Sequence, residues 1–188
     1  MARWDPGAEQ RLKQAALELY LEHGYDNVTV THIAERAGLT RRSYFRYFPD
    51  KREVLFAGSE HLPPALAEAI LAADPDTAPL TAALDALARV GAQLTERMDG
   101  ATQRRAVIDA SPELQERERT KTAAITEAIR DALIQRQVNT GTAELVAQLA
   151  TVASNNAFRH WIEAEGRTSF SNCLNTATDE LRTTLTNT

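Results

Sequence analysis

The chain is poor in the residues that catalytic and metal chemistry needs in clusters. One of its 188 residues is a cysteine, Cys173, so no disulfide can close within it, and a reducing, cytoplasmic setting is expected. The four histidines (His23, His32, His61, His160) fall on different expected elements, and no Cys/His/acid group has zinc-ligand spacing. No glycine-rich phosphate loop or serine-nucleophile elbow occurs. No catalytic residue, metal ligand or cofactor is therefore expected. There is no apolar run long enough to span a bilayer, and the start MARWDPGAEQ has no apolar core of a signal peptide, so no membrane partner is expected. Aromatics are few and lopsided. Eight of the eleven lie before residue 57, leaving only Phe158, Trp161 and Phe170 beyond it.

What is present is a basic, aromatic stretch near the start, VTVTHIAERAGLTRRSYFRYFPDK at 28–51. It predicts two short helices, at about 30–37 and 40–48, with a tight break between them. Thr29 suits the first N-cap, and Val28 with Ile33 suits a hydrophobic staple across it. Gly38 supplies a helix-ending residue, Leu39 an apolar turn residue, and Thr40 a second cap. That is the helix-turn-helix pattern, whose second helix enters a DNA major groove. From 32 to 52 there are six Lys/Arg against two acids, a local charge near +4 on a chain of net charge -5. Such asymmetry is the footprint of a nucleic-acid site. Tyr44 and Phe48, four apart, are expected to face the core, with Phe45 and Tyr47 beside the phosphates. A helical enzyme or carrier with a fortuitous motif is the alternative; the basic second helix argues against it.

The run LYLEHGYDNVTVTHIAERAGLTRRSYFRYFPDK resembles the DNA-binding signature of the TetR family of transcriptional regulators. The resemblance covers roughly residues 11–55. It implies an all-α homodimer: an N-terminal three-helix helix-turn-helix domain, then a larger helical domain that binds a small-molecule effector and dimerises. By position it implies that Thr29, Thr31, Tyr47 and Lys51 touch phosphate and that Arg41 and Arg42 reach base edges. Thr40, Ser43 and Arg46 complete the expected DNA-binding set. Three residues depart from the family pattern. Arg42 stands where glycine is frequent, Phe45 where tyrosine is usual, and His32 where an acid is common, which predicts a missing capping-box partner. An operator-binding protein that has lost its effector response also fits the resemblance.

The domain boundary is expected at 55/56. Before it, the first helix starts near Asp5-Pro6 or after Gly7, carries Leu12, Ala15, Ala16, Leu19 and Tyr20 as its core stripe, and stops at Gly24. Arg3 lies in an expected loose arm. Across the boundary, Asp50 and Glu53 predict a capping box opening a connecting helix that Pro63-Pro64 ends or kinks, unless a new helix starts at those prolines. Helices are expected over 80–94, 102–110, from Ser111-Pro112 to a break at Gly141, then 142–165 and 168–185. The last carries Phe170, Leu174, Ala177, Leu181 and Leu185 as a seam. Phe158, Trp161, Leu174 and Leu181 are expected at the dimer interface. With aromatics absent from the middle of the second domain, an aliphatic or flexible effector is expected, with Arg104, Arg105, Asn155 or Asn156 as its polar contacts.

Overall fold

The computed structural model describes residues 7–96, 98–165 and 167–186, so the expected helix start at Asp5-Pro6 and the arm at Arg3 lie outside the described residues. Among the described residues the secondary structure is helical throughout, with no strand, as the all-α reading requires. The helices are α1 (Ala8–His23), α2 (Val30–Arg36), α3 (Arg41–Tyr44), α4 (Leu62–Leu71), α5 (Pro79–Thr95), α6 (Ala101–Asp109), α7 (Pro112–Gln135), α8 (Thr140–Glu163) and α9 (Phe170–Thr186). None is long and apolar enough to cross a membrane.

The chain divides into two compact units. The first runs to Gly58 and then takes in Gly100–Arg119; the second comprises Ser59–Asp99 and Thr120–Thr188. In the first unit, α1 buries the expected stripe Leu12, Ala15, Ala16, Leu19 and Tyr20. This stripe packs with Val28, Ile33, Tyr44, Phe48 and Val54, and with Val107, Ile108 and Leu114 from α6 and the start of α7. Those three apolar residues are why the stretch 100–119 belongs here and not with the chain around it. The expected boundary at 55/56 placed it in the second domain.

The expected connecting helix is not formed. A 3-10 turn at Glu53–Leu55 and another at Ser59–His61 stand in its place, separated by Gly58 at φ +86°. That backbone region is hostile to side chains and incompatible with a continuing helix. Pro63 and Pro64 then start α4, where a missing N–H costs nothing because the first-turn amides have no helical partner.

The second unit is built on α8 and α9, with α5 against both and α4 against α5. The inner face of α8 carries Ala143, Ala147, Ala150 and Ala157, all buried, and such small residues let α5 and α9 approach closely. The reversal after α7 occurs at Gln137, φ +64°, and not at the expected Gly141, which sits in the first turn of α8 and donates its N–H to the Asn139 cap. Arg136 closes the other end. Its guanidinium donates to the carbonyls of Ile70 (2.9 Å), Ala73 (3.1 Å), Asp74 (2.8 Å) and Thr77 (3.1 Å), satisfying the C-terminus of α4 and the loop after it.

Gly91 on α5 is fixed by packing, since a Cβ there would fall inside the Phe170 ring of α9. Gly91→Ala is expected to destabilise the protein by about 1–3 kcal/mol through overpacking. Thermal unfolding checks this, and Phe170→Leu in the same chain is expected to restore part of the loss.

Candidate nucleic-acid interface

The site is built by two capped helix starts and one glycine turn. Thr29 has extended backbone angles, and its hydroxyl accepts from the His32 N–H at 3.2 Å. The Thr29 N–H in turn donates to His32 Nδ1 at 3.4 Å. The capping box expected to be missing is therefore present, because an imidazole nitrogen lone pair can accept where a carboxylate usually does. Past α2, Gly38 stands at φ +68°. The Gly38 N–H donates to the Glu35 carbonyl and the Leu39 N–H to the Ala34 carbonyl, which closes the helix as a Schellman motif. Thr40 caps α3 by accepting from the Ser43 N–H at 3.1 Å.

α3 is shorter than expected. Regular helix stops at Tyr44, and the chain continues through turns in which Arg46 N–H reaches Ser43 and Tyr47 N–H reaches Tyr44. Pro49 disfavours helical angles at the residue before it, which shortens the run from its far end. The side chains divide as expected. Tyr44 and Phe48 are buried with ring centroids 5.4 Å apart, while Phe45 is 46% exposed.

Three buried tyrosines anchor this layer to the rest of the unit. Tyr20 donates its hydroxyl to the Lys51 carbonyl (2.7 Å), Tyr44 to the Asp50 carbonyl (3.0 Å) and Tyr25 to Glu113 of α7 (3.2 Å). Burial pushes all three phenols well above their ordinary pKa, so they stay protonated donors.

The six basic residues of 32–52 divide by partner. Arg36 forms a forked pair with Glu22 (3.0 and 2.8 Å), and Arg52 pairs with Asp50 (2.8 Å). Lys51 donates to backbone carbonyls. Arg41, Arg42 and Arg46 have no acid partner among the described residues, and all three are exposed. Arg41 lies over the Phe45 ring at 5.4 Å; Arg46 lies over the Tyr47 ring at 5.1 Å and donates to its hydroxyl. Thr31 and Thr40 are exposed on the same motif, and Ser43 is half-buried. Thus Thr29, Thr31, Thr40, Arg41, Arg42, Ser43, Arg46 and Tyr47 are brought together. Lys51 is half-buried, with its Nζ on the carbonyls of Tyr25 and Val28 just before the Thr29 cap.

The other expected sites fare differently. Arg104 and Arg105 lie in the first unit, which removes them from an effector site in the second. Arg104 donates to the Leu55 carbonyl (2.6 Å) and covers the Phe56 ring, and burial pushes its pKa down to about 10. Arg105 pairs with Glu118 (2.9 Å) and Asp109 (2.8 Å). In the second unit Asn155 is exposed, and Asn156 is half-buried with its Oδ1 shielded and without a partner. Leu174 is 2% exposed inside the core of its own subunit, so it is not available to the expected dimer seam. Phe158 and Trp161 stack at 5.6 Å and pack half-buried against the same core; Leu181 is half-buried, and the Leu185 side chain lies outside the described residues. The exposed large apolar residues of α8 are instead Leu145 (60%) and Val152 (59%), seven apart and so on one helix face. Sequence reasoning passed over both.

A sequence profile described as bacterial regulatory proteins of the tetR family matches residues 12–57, and one described as the MftR C-terminal domain matches residues 75–186. The chain belongs to the TetR family of bacterial regulators. The HTH-type transcriptional regulator TcmR of Streptomyces glaucescens is 40% identical over 76 residues, covering 36% of this chain and 32% of that one. The chain spans about a third or less of the curated relatives it matches. Among solved structures, SmeT in complex with triclosan has a TM-score of 0.60 at 17% identity, covering 93% of this chain and 91% of that one. NalD, the secondary repressor of the MexAB-OprM multidrug efflux pump in Pseudomonas aeruginosa, has a TM-score of 0.58 at 18% identity, covering 92% and 95%. These two likenesses show a shared fold.

Asp50 stabilises the end of the DNA-binding motif. Its carboxylate accepts from the Arg52 side chain and from the N–H groups of Arg52 (2.8 Å) and Glu53 (3.2 Å), which hold its pKa below the usual carboxylate range. A depressed pKa contributes stability that is present above the unfolded value of about 4 and lost as pH falls through the folded value. Asp50→Asn is therefore expected to cost about 1 kcal/mol or less at neutral pH, discounted for solvent screening at this partly exposed site. The gap in melting temperature between variant and wild type is expected to close below about pH 4.

Proposed function

We propose that this chain is a cytoplasmic, dimeric TetR-family repressor that binds a palindromic operator and is released by a small-molecule effector. The observation that carries the DNA reading is the trio Arg41, Arg42 and Arg46: exposed, unpaired among the described residues, and placed on and just after the second helix of a capped helix-turn-helix. Guanidinium forks suit bidentate bonds to guanine O6 and N7, and the cap residues Thr29 and Thr40 leave helix N-termini for phosphate. Half-sites are expected one helical turn or more apart, about 34–36 Å or beyond. Selection of bound duplex from a random pool tests this directly. Arg41→Ala and Arg42→Ala are each expected to lose about 1–3 kcal/mol against the selected duplex and to relax preference at one position. Full retention of affinity and preference by both would overturn the base-reading assignment.

For the dimer, the α8 stripe of Leu145, Leu149 and Val152 replaces Leu174 as the contact surface, with Leu181, Phe158 and Trp161 as flanking candidates. A two-fold interface pairs one surface with itself, and Leu145 and Val152 are exposed on one face of α8 with Leu149 half-buried between them. Val152→Lys is expected to sediment as a monomer; a variant that stays dimeric would show that the contact lies elsewhere. For the effector, Asn156 is the polar group best supported, because an effector N–H or O–H would satisfy its unpartnered Oδ1, and Asn155 neighbours it. The alanine- and leucine-rich core around it suits an aliphatic or flexible molecule. Release requires the effector to bind the DNA-incompetent state more tightly, and by linkage operator DNA then weakens effector binding by the same factor.

A further inference from the structure

Phe45 is a large apolar side chain left 46% exposed on the segment that carries the three arginines without acid partners. Burial does not account for it. Its ring stands edge-on against Tyr44, with centroids 5.7 Å apart and planes at 83°. Tyr44 is fully buried, and its hydroxyl is fixed on the Asp50 carbonyl. Arg41 stands four residues before Phe45, and the Phe45 N–H donates to the Arg41 carbonyl, closing one helical turn. That turn places both side chains on one face, with the Arg41 guanidinium carbon 5.4 Å from the Phe45 centroid.

A guanidinium is planar, and over a ring face it gains attraction while its N–H groups stay available. The side-chain N–H groups of Arg41 make no hydrogen bond among the described residues, so the whole fork is free for a base edge. The other two arginines differ. Arg42 has no ring beneath it among the described residues, and Arg46 engages the Tyr47 hydroxyl. A side chain that samples many rotamers in water must be ordered when it binds, which subtracts from the gain of the contact. We propose that Phe45 is a positioning residue for base reading: its ring, backed by Tyr44, holds the Arg41 guanidinium ready for a base edge, and so makes Arg41 the more discriminating of the two adjacent arginines. Arg42, without that support, is the adaptable one. The DNA part of this statement rests on the regulator reading above. The support of Arg41 by the ring is independent of that reading.

Phe45→Leu keeps an apolar contact for Tyr44 and removes the aromatic face. In the free protein it is expected to lower the NMR order parameter of the Arg41 Nε–H and to abolish its ring-current shift, with Arg42 unchanged. Against a duplex selected from a random pool, discrimination is the affinity ratio between that duplex and one altered at the base pair whose preference Arg41→Ala relaxes. Phe45→Leu is expected to lower this ratio about fivefold, the size of an exposed cation–π contact, and to leave the ratio at the Arg42-dependent pair unchanged. Phe45→Tyr keeps a ring and is expected to keep the ratio. In an Arg41→Ala background, Phe45→Leu is expected to cost less affinity than in wild type, a coupling that a direct contact between Phe45 and the duplex would not produce. An Arg41 Nε–H unaffected by Phe45→Leu would overturn the proposal. So would an unchanged ratio, an equal loss at both base pairs, or an equal loss with and without Arg41. If no duplex binds wild type, the regulator reading fails, and the Nε–H result still decides whether the ring supports Arg41.

Discussion

A phenol taken out of water must find an acceptor, and the first unit contains three such groups side by side. Tyr20 and Tyr44 find theirs in consecutive backbone carbonyls, at Lys51 and Asp50, and Tyr25 finds its own in Glu113. These acceptors lie just past the recognition segment and at the start of α7. The segment that follows α3 is thereby tied to α1, and the turn before α2 is tied to α7. The exposed arginines inherit their placement from hydrogen bonds made behind them.

The charges follow a similar division. A composition-level excess of basic residues is only the raw material for a DNA surface. Arg36 and Arg52 are neutralised by carboxylates and Lys51 is held by two backbone carbonyls, so among the described residues of this stretch the guanidinium groups left without a carboxylate are Arg41, Arg42 and Arg46. The division matters because phosphate attraction alone is indifferent to sequence, whereas a few correctly aimed guanidinium groups can discriminate between base edges.

Helix order was legible because its punctuation is chemical. Gly24, Gly38, Thr29, Thr40 and Ser111-Pro112 act through φ preference, caps and the missing proline N–H, all local properties. The helix-turn-helix residues were legible for the same reason. What escaped depends on distant partners. Val107, Ile108 and Leu114 are an unremarkable apolar trio in sequence, and only packing assigns them to the first unit. Arg104 and Arg105 looked like effector ligands because of their place along the chain, while their partners, Leu55, Glu118 and Asp109, are satisfied within the first unit. The regular 4-3 spacing of Leu174 and Leu181 correctly marks an apolar face of α9, but periodicity does not say whether that face meets its own subunit or another. His32 was read by analogy with acids, and its nitrogen lone pair performs the same office.

The first unit is assembled from two stretches separated by some forty residues of the second. Grafting is constrained by this. A cassette cut at Gly58 and fused to a foreign body would carry Arg41, Arg42 and Arg46 but leave behind Val107, Ile108 and Leu114, and would strip Tyr25 of its carboxylate. Arg104 would no longer cap the Leu55 carbonyl, and Glu53 would lose Arg117. Any chimera that keeps the helix-turn-helix in its present packing must therefore bring both stretches, or supply equivalents of α6 and the first two turns of α7 from the recipient. Modularity in this chain resides in a discontinuous set of residues, and its seams do not coincide with a single point along the sequence.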